Sequence, residues 1–531
     1  MAKQTDHDAP QRTLVEAVGL YAGPLAALAF CLGPHAGMSL DSSRPELNYM
    51  AAVVVWMAAW WLTEAIPPAA TGLLPLVLLP LLRLAPARGT NGVASVAVSY
   101  SDSMIFLFLG GFLVALCIQR SGLERRIALT IVGIVGDSPR QLVLGFMLAT
   151  AAISMWMSNT ATAMMMLPIA VSVIAQADHT CDKKPIRPFA GALMLGIAYG
   201  ANIGGFATLV GTPPNVVFKQ IYTQQFGPNA PDISFGGWML MATPLSLTMV
   251  LVGWLVLTRI LFPLQGGSLL GGADLITKQK QQLGPLRPAE LRAGLIFLVT
   301  ATLWISREPV AGVGWAPLLG LSRQADGTRL VDDSTVAMAM AILCFVLPAK
   351  GLRGPRLLNW QAAARVPWGV LLMFGGGLTL ARGMSSSGLA AFLGERFGHA
   401  LQGVSPLVMT TATALGMTFL TEITSNLAST TMSLPILATV AVNVGCDPRL
   451  LMIAATIAAS CAFMLPVATP PNAIIYASGH VRLGDMVKAG LIMNLIGVVL
   501  LVLVVFTLGD FVLGIDTHAL PVWASPVSDL P

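Results

Sequence analysis

The chain has 531 residues, 55% of them hydrophobic and only 10% charged, with a mean hydropathy of +0.75. Soluble domains carry about 25% charged residues, so this composition excludes a water-soluble protein. The net charge of +5 does not point to a nucleic-acid partner, because Lys and Arg lie in short loops between apolar runs and form no aromatic-interleaved patch.

The polar N-terminal tail has no signal-peptide cleavage pattern before the first apolar run, which is therefore expected to stay as a membrane helix. About 20 apolar residues span a bilayer core. Spans are predicted near 14–33, 48–65, 69–86, 102–130, 188–222, 236–263, 288–306, 335–348, 367–395, 448–480 and 484–515. Two further apolar stretches, 141–176 and 405–443, are too long for one crossing. Each is broken at its centre by a polar cluster, Ser158-Asn159-Thr160 in one and Thr424-Ser425-Asn426 in the other. A helical hairpin that turns at the cluster and lines a wet cavity avoids placing those groups in hydrocarbon. The expected fold is an all-α membrane protein of eleven transmembrane helices plus two re-entrant helical hairpins. After Lys488 the chain has no Lys or Arg. The positive-inside rule then sets the N-terminus in the cytoplasm and the C-terminus outside a cell (inner) membrane. The six cysteines, Cys31, Cys117, Cys181, Cys344, Cys446 and Cys461, show no metal-ligand spacing and read as buried free thiols.

An internal duplication organises these elements. The twelve residues starting at Ser158 match the twelve starting at Ser425 at an offset of 267, with seven identities. Thr212-Pro213-Pro214-Asn215 matches Thr469-Pro470-Pro471-Asn472 at 257, and Gly110-Gly111 and Gly122-Leu123 match Gly376-Gly377 and Gly388-Leu389 at 266. The smaller offset follows from a longer polar loop between His179 and Arg187 in the first copy. Five predicted crossings separate the hairpins, so the repeat is inverted. The expected division is an N-terminal tail and scaffold over 1–101 and a first repeat core over 102–235 with its broken helix at 188–222. Connecting scaffold helices over 236–366 lead to a second core over 367–480 with its broken helix at 448–480, and then to a last helix and tail over 481–531.

Inverted repeats in secondary transporters meet near the bilayer midplane, where half-helix N-termini face anions and freed carbonyls hold cations. Ser, Asn and Thr at a hairpin tip suit the first task. The prolines of Thr-Pro-Pro-Asn suit the second, because they break a helix and free carbonyl oxygens, hard ligands suited to Na⁺. Glu64 and Glu422 are intramembrane carboxylates; Glu64 precedes Pro67-Pro68 near a span end and is expected to reach water.

At these residues the sequence resembles the divalent anion:sodium symporter family. The resemblance runs from Trp60-Trp61-Leu62-Thr63-Glu64-Ala65 to Lys488, and Ser460 to Ala468 followed by Asn472 looks like the family's second-repeat signature. It implies one Na⁺ site at Ser154, Ser158, Asn159 and Gly211 and another at Thr421, Ser425, Asn426 and Ala468. It also implies substrate contacts at Ser158, Asn159, Thr160, Thr212, Pro213, Ser425, Asn426, Thr469 and Pro470, and a homodimer with an elevator-type alternating-access motion. Leu427 departs from the pattern, where the second motif commonly has Thr. The expected function is Na⁺-coupled import of a divalent anion, a C4 dicarboxylate such as succinate, malate or fumarate. A sodium-independent dicarboxylate exchanger and a Na⁺/sulfate symporter are the alternatives on the same fold. No HExxH or G-x-S-x-G motif supports an intramembrane enzyme.

Overall fold

The computed structural model describes residues 13–36, 39–84, 92–180, 186–227, 230–264, 272–308, 314–321, 330–351 and 353–524. Residues 1–12, Cys181, most of the loop between His179 and Arg187, and the tail from 525 onward lie outside the described residues. Among the described residues the secondary structure is helical, apart from one isolated bridge between Pro348 and Arg356.

Helices α1 (Leu14–Leu32) and α2 (Pro45–Thr63) pack on one another, and α3 (Leu74–Leu81) follows them. The chain then runs through α4 (Ser103–Ser121), α5 (Leu123–Val135), α6 (Pro139–Ser154), α7 (Asn159–Thr180), α8 (Arg187–Gly205), α9 (Pro213–Phe226) and α10 (Phe235–Leu255). Helices α11 (Pro288–Arg307) and α12 (Asp333–Val346) connect this half to the next. The second half repeats the order with α13 (Trp368–Ser386), α14 (Leu389–Ala400), α15 (Pro406–Leu420), α16 (Asn426–Val444), α17 (Pro448–Ala458), α18 (Pro470–Ala477) and α19 (Leu483–Val504).

The correspondence extends to the helix ends. Gly122 and Gly388 close α4 and α13 at φ 83° and 79°, a left-handed conformation that glycine adopts without Cβ strain. Both hairpins begin with Ser-Pro: Ser138 Oγ accepts from Gln141 N–H and Ser405 Oγ from Val408 N–H, with proline at the first helical position of each. Both long helices after the broken pair end in π-helical turns, Val256–Leu261 after α10 and Val505–Gly509 after α19. The π turns had no signature in the sequence.

Seven described helical segments are long and apolar enough to cross a membrane. Four of them coincide with the predicted spans at 14–33, 236–263, 288–306 and 484–515; a fifth, Ser103–Ser121, covers only the first part of predicted span 102–130, which Gly122 divides, and the other two, Asn159–Asp178 and Asn426–Val444, are the second arms of the hairpins. Helix length alone does not yield eleven crossings. Predicted spans 188–222 and 448–480 are each divided by unwound residues, 206–212 and 459–469. Glycines let α8 approach α6 closely: a Cβ on Gly204 would stand 2.3 Å from the Ala151 carbonyl oxygen. The two halves interlock, since α7 packs on α18 and α9 packs on α16. Each helix starting at a Ser-Asn tip therefore lies against the Thr-Pro-Pro-Asn helix of the other half.

Two ionic clusters tie this arrangement together. Lys219 of α9 lies 2.9 Å from Asp333 at the start of α12, and Arg307 at the end of α11 lies 2.7 Å from the same carboxylate, all three buried. Beyond α19, a strap over residues 513–524 returns across the core. Arg449 donates to the Leu513 and Gly514 carbonyls at 2.8 Å, pairs with Asp447 at 2.6 Å, and sits 5.0 Å over the Trp523 ring. Trp523 in turn packs edge-on against Tyr222 and Phe226 of α9. Cys117, Cys344, Cys446 and Cys461 are buried free thiols and Cys31 is half-buried.

Candidate functional site

In the first hairpin α6 ends at Ser154, residues 155–158 turn, and α7 starts at Asn159. Ser158 Oγ accepts from Ala161 N–H at 3.2 Å and so satisfies one of the free donors of the new helix. The Ser154 hydroxyl, fully buried, stands 2.7 Å from both Asn159 Oδ1 and the Ala201 carbonyl oxygen. A hydroxyl has one proton to donate, so the two acceptors cannot both be satisfied by it. More oxygen surrounds this tip. A Cβ on Gly205 would lie 2.5 Å from Asn159 Oδ1, and one on Gly211 would lie 2.3 Å from Gly205 O and 2.8 Å from Met155 O. Thr208 holds the unwound strand to the tip, donating to Met155 O while accepting from Gly211 N–H. Ser154, Asn159 and Gly211 therefore meet, and neutral oxygens in excess of protons suit a hard cation such as Na⁺.

The second tip is built from the matching residues with different bonds. Ser425 precedes α16 at φ −65°, ψ 126°, and its side chain caps nothing. Thr421 Oγ1, fully buried, donates to carbonyls of its own helix, Met417 O at 2.9 Å and Thr418 O at 3.1 Å. Asn426 Oδ1 is buried without a hydrogen-bond partner, an acceptor that a cation would satisfy. Glu422 braces this tip. Its carboxylate, 3% exposed, accepts from Met464 N–H on both oxygens, from Leu465 N–H at 2.9 Å and from Asn494 Nδ2 at 2.7 Å. These bonds draw Thr421 and the unwound strand carrying Ala468 to one place. The strand is oriented further by Ala468 N–H donating to Leu465 O at 3.2 Å.

Thr212 and Thr469 both precede their helices in extended conformation, at φ −142° and −143°. With Pro213 and Pro470 at the first helical position, α9 and α18 each open on two prolines, which carry no N–H, and their first N–H groups are already used, Asn215 N–H by Thr212 O and Asn472 N–H by Thr469 Oγ1. Four helix N-termini, those of α7, α9, α16 and α18, thus belong to the interlocked halves, and each carries the positive end of a helix dipole. Thr160 is half-buried in the first turn of α7, whereas Leu427, at the matching place on α16, is 7% exposed and packed in the apolar core. The lost hydroxyl is replaced by packing. Glu64 is exposed at φ 50°, beyond the end of α2.

Sequence reasoning missed three contributors. Thr208 and the bracing role of Glu422 left no pattern, since neither recurs in the other half. Asn202, a lone carboxamide in an apolar run, donates from Nδ2 to Thr469 Oγ1 at 3.0 Å and to Asn472 Oδ1 at 3.4 Å. Its polarity in an otherwise apolar segment was the available signal.

A helical membrane protein with paired broken helices and oxygen-lined hairpin tips belongs to the class of secondary transporters. The structure resembles those of MtrF of Neisseria gonorrhoeae, at a TM-score of 0.58 and 14% identity over 88% of this chain and 99% of that one, and of the YdaH transporter of Alcanivorax borkumensis, at 0.54 and 12% over 85% and 100%. Both likenesses concern the fold. Residues 32–515 match the family described as the sodium:sulfate symporter transmembrane region. The chain is 42% identical over 510 residues to the sodium-dependent dicarboxylate transporter SdcS of Staphylococcus saprophyticus, covering 95% of this chain and 93% of that protein. It is 42% identical over 507 residues to SdcS of Staphylococcus aureus strain RF122, covering 94% and 92%. The chain belongs to the sodium:sulfate symporter family, the divalent anion:sodium symporters.

Proposed function

We propose that this protein imports a C4 dicarboxylate such as succinate, malate or fumarate by Na⁺ symport. The observation that carries the reading is the crowding of unshared oxygens at both hairpin tips, each next to helix N-termini. Ser154, Asn159, Gly211 and Ser158 would hold one Na⁺, and Thr421, Asn426, Ser425 and Ala468 a second. The dianion would lie between them against Ser158, Asn159, Thr160, Thr212, Pro213, Ser425, Asn426, Thr469 and Pro470. Two monovalent cations cancel its charge at membrane depth, where an uncompensated charge is costly. The naming of the SdcS relatives supports both the coupling ion and the substrate class.

The two halves form an inverted repeat, with the hairpins entering from opposite faces of an eleven-span protein. The repeat cores, 102–235 and 367–480, move together against the scaffold of a homodimer in an elevator-type exchange. The N-terminus lies in the cytoplasm of a cell with this protein in its inner membrane, and the tail lies outside. Uptake into proteoliposomes tests the reading, with a Na⁺, K⁺ or choline gradient and competition by succinate, malate, fumarate, citrate, tartrate and sulfate. Accumulation of a C4 dicarboxylate only under a Na⁺ gradient is expected. Accumulation indifferent to the cation would establish an exchanger, and preference for sulfate would change the substrate class.

A further inference from the structure

We propose that Trp156 is a positioning residue for the first Na⁺ site, fixing the first hairpin tip through aromatic contacts that the matching residue of the second tip, Ile423, cannot make. The inference deepens the Na⁺-coupled reading above and rests on it. At the offset of 267 that relates the hairpins, Met155 aligns with Glu422 and Trp156 with Ile423. The internal symmetry therefore fails at two adjacent positions inside the turns. It holds on either side of them, where Ser154 aligns with Thr421 and Ser158-Asn159 with Ser425-Asn426.

A short turn between two helices needs a brace, because a cation site binds tightly only when its oxygens are held in place before the ion arrives. The second tip is braced by charge, with Glu422 gripping the N–H groups of Met464 and Leu465 and the Asn494 amide. Met155 has no carboxylate to offer. Its carbonyl oxygen belongs to the oxygen cluster of the first tip, accepting from Thr208 and facing Gly211. The next residue supplies the grip. The Trp156 ring stacks on Phe235 with centroids 6.1 Å and planes 18° apart, and it meets Phe297 edge-on at 5.0 Å. Phe235 stacks in turn on Trp304 at 4.8 Å, and Trp304 Nε1 donates to Asp333 O at 2.9 Å. Ile423, by contrast, is 67% exposed.

Phe297 and Trp304 belong to α11, and Asp333 opens α12. The first tip is thus held by the connecting helices, and Trp156 is the side chain that reaches them. Without the ring the turn is freed, and with it the Met155 carbonyl and the Ser158-Asn159 start of α7. Na⁺ must then order these groups as it binds, which lowers its affinity without removing any oxygen.

Two readouts on the purified protein test this. One is the Na⁺ concentration for half-maximal succinate uptake in proteoliposomes; the other is the Na⁺ concentration giving half of the Na⁺-induced rise in melting temperature without substrate. Removing one aromatic pair with Phe297→Leu should raise both about threefold, although residue 297 lies on α11, outside both hairpins. Trp156→Ala removes two such pairs and should raise both about tenfold, while Trp156→Phe, which keeps a ring, should recover most of the loss. Ile423→Ala should leave both where they are. A purely structural tryptophan would lower the melting temperature of Trp156→Ala and move neither Na⁺ concentration, and that result overturns the proposal, as does an equal rise in Ile423→Ala. Should Trp156→Ala fail to fold, Phe297→Leu decides, since unchanged Na⁺ concentrations there overturn the proposal as well. Wild-type uptake and melting indifferent to Na⁺ would sink the Na⁺-coupled reading and this inference with it, whereas Na⁺ dependence that the variants leave untouched would sink this inference alone.

Discussion

Asn159 and Asn426 occupy the same position in the two hairpins, yet only Asn159 has a side-chain partner for its oxygen, the Ser154 hydroxyl. Their alanine variants should therefore separate. Asn426→Ala deletes an oxygen that bonds nothing within the protein, so Na⁺-driven uptake should vanish while the melting temperature barely moves. Asn159→Ala should lose uptake and also about 1 kcal/mol of stability for the broken hydrogen bond. Uptake assays alongside thermal melts in detergent check both, and retained uptake in either variant at normal abundance would count against the site assignment. Leu427 gives a second residue-scale expectation. Its side chain lies in the apolar core, so Leu427→Thr should cost about 1–3 kcal/mol and leave the order of anion preference unchanged. Competition uptake with the anion panel decides it, and an altered order would place that side chain at the substrate. The tips were legible in the sequence because a polar triplet inside an apolar run is conspicuous and occurs twice. That Leu427 faces packing was not legible, since which side of a helix meets the core depends on neighbours far along the chain.

At the scale of elements, the prolines of Thr-Pro-Pro-Asn predicted where the broken helices divide, and the asparagines explain why the unwound strands hold their shape. Asn215 and Asn472 each cover two carbonyls that the break had freed, which meets the demand that buried backbone groups be paired. The sequence could show that these asparagines recur but not that Asn202 reaches only one of them. The junction of α9 with α11 and α12 rests on charge. Asp333 serves both Lys219 and Arg307, and no spacing rule links residues 114 positions apart. Asp333→Asn would take the carboxylate partner from buried Lys219, while Arg307 keeps Glu308 at 3.1 Å and Asp232 at 3.5 Å, and breaking a buried pair costs about 3–5 kcal/mol. A marked drop in melting temperature is expected, partly recovered by adding Lys219→Met. A wild-type melt for Asp333→Asn would show that solvent already screens the cluster.

For the whole molecule, composition and hydropathy sufficed to predict a helical membrane protein, and the duplication predicted its internal correspondence. The strap over residues 513–524 had no precursor in that reading, because its partners, Arg449 and the rings of α9, become neighbours only in the finished fold. Ending the chain after Leu513 would remove Gly514 O and Trp523 from Arg449. One hydrogen bond to a charged group contributes about 1.5–3 kcal/mol, so the truncated protein should melt several degrees lower by fluorescence-detected size-exclusion chromatography. An unaltered melt would mean that Asp447 and Leu513 O suffice for the guanidinium. The strap also bears on how the protein is born. A ribosome delivers α9 and α17 to the bilayer well before it delivers Trp523, so through most of synthesis Tyr222 and Phe226 lack their aromatic neighbour and the Arg449 guanidinium lacks its two carbonyls. Insertion of the helices and closure of the binding core are then separate events in time, and a nascent chain stalled before residue 513 would sit in the membrane with its spans in place but this seam unsealed, recognisable to the proteases that clear unfinished proteins.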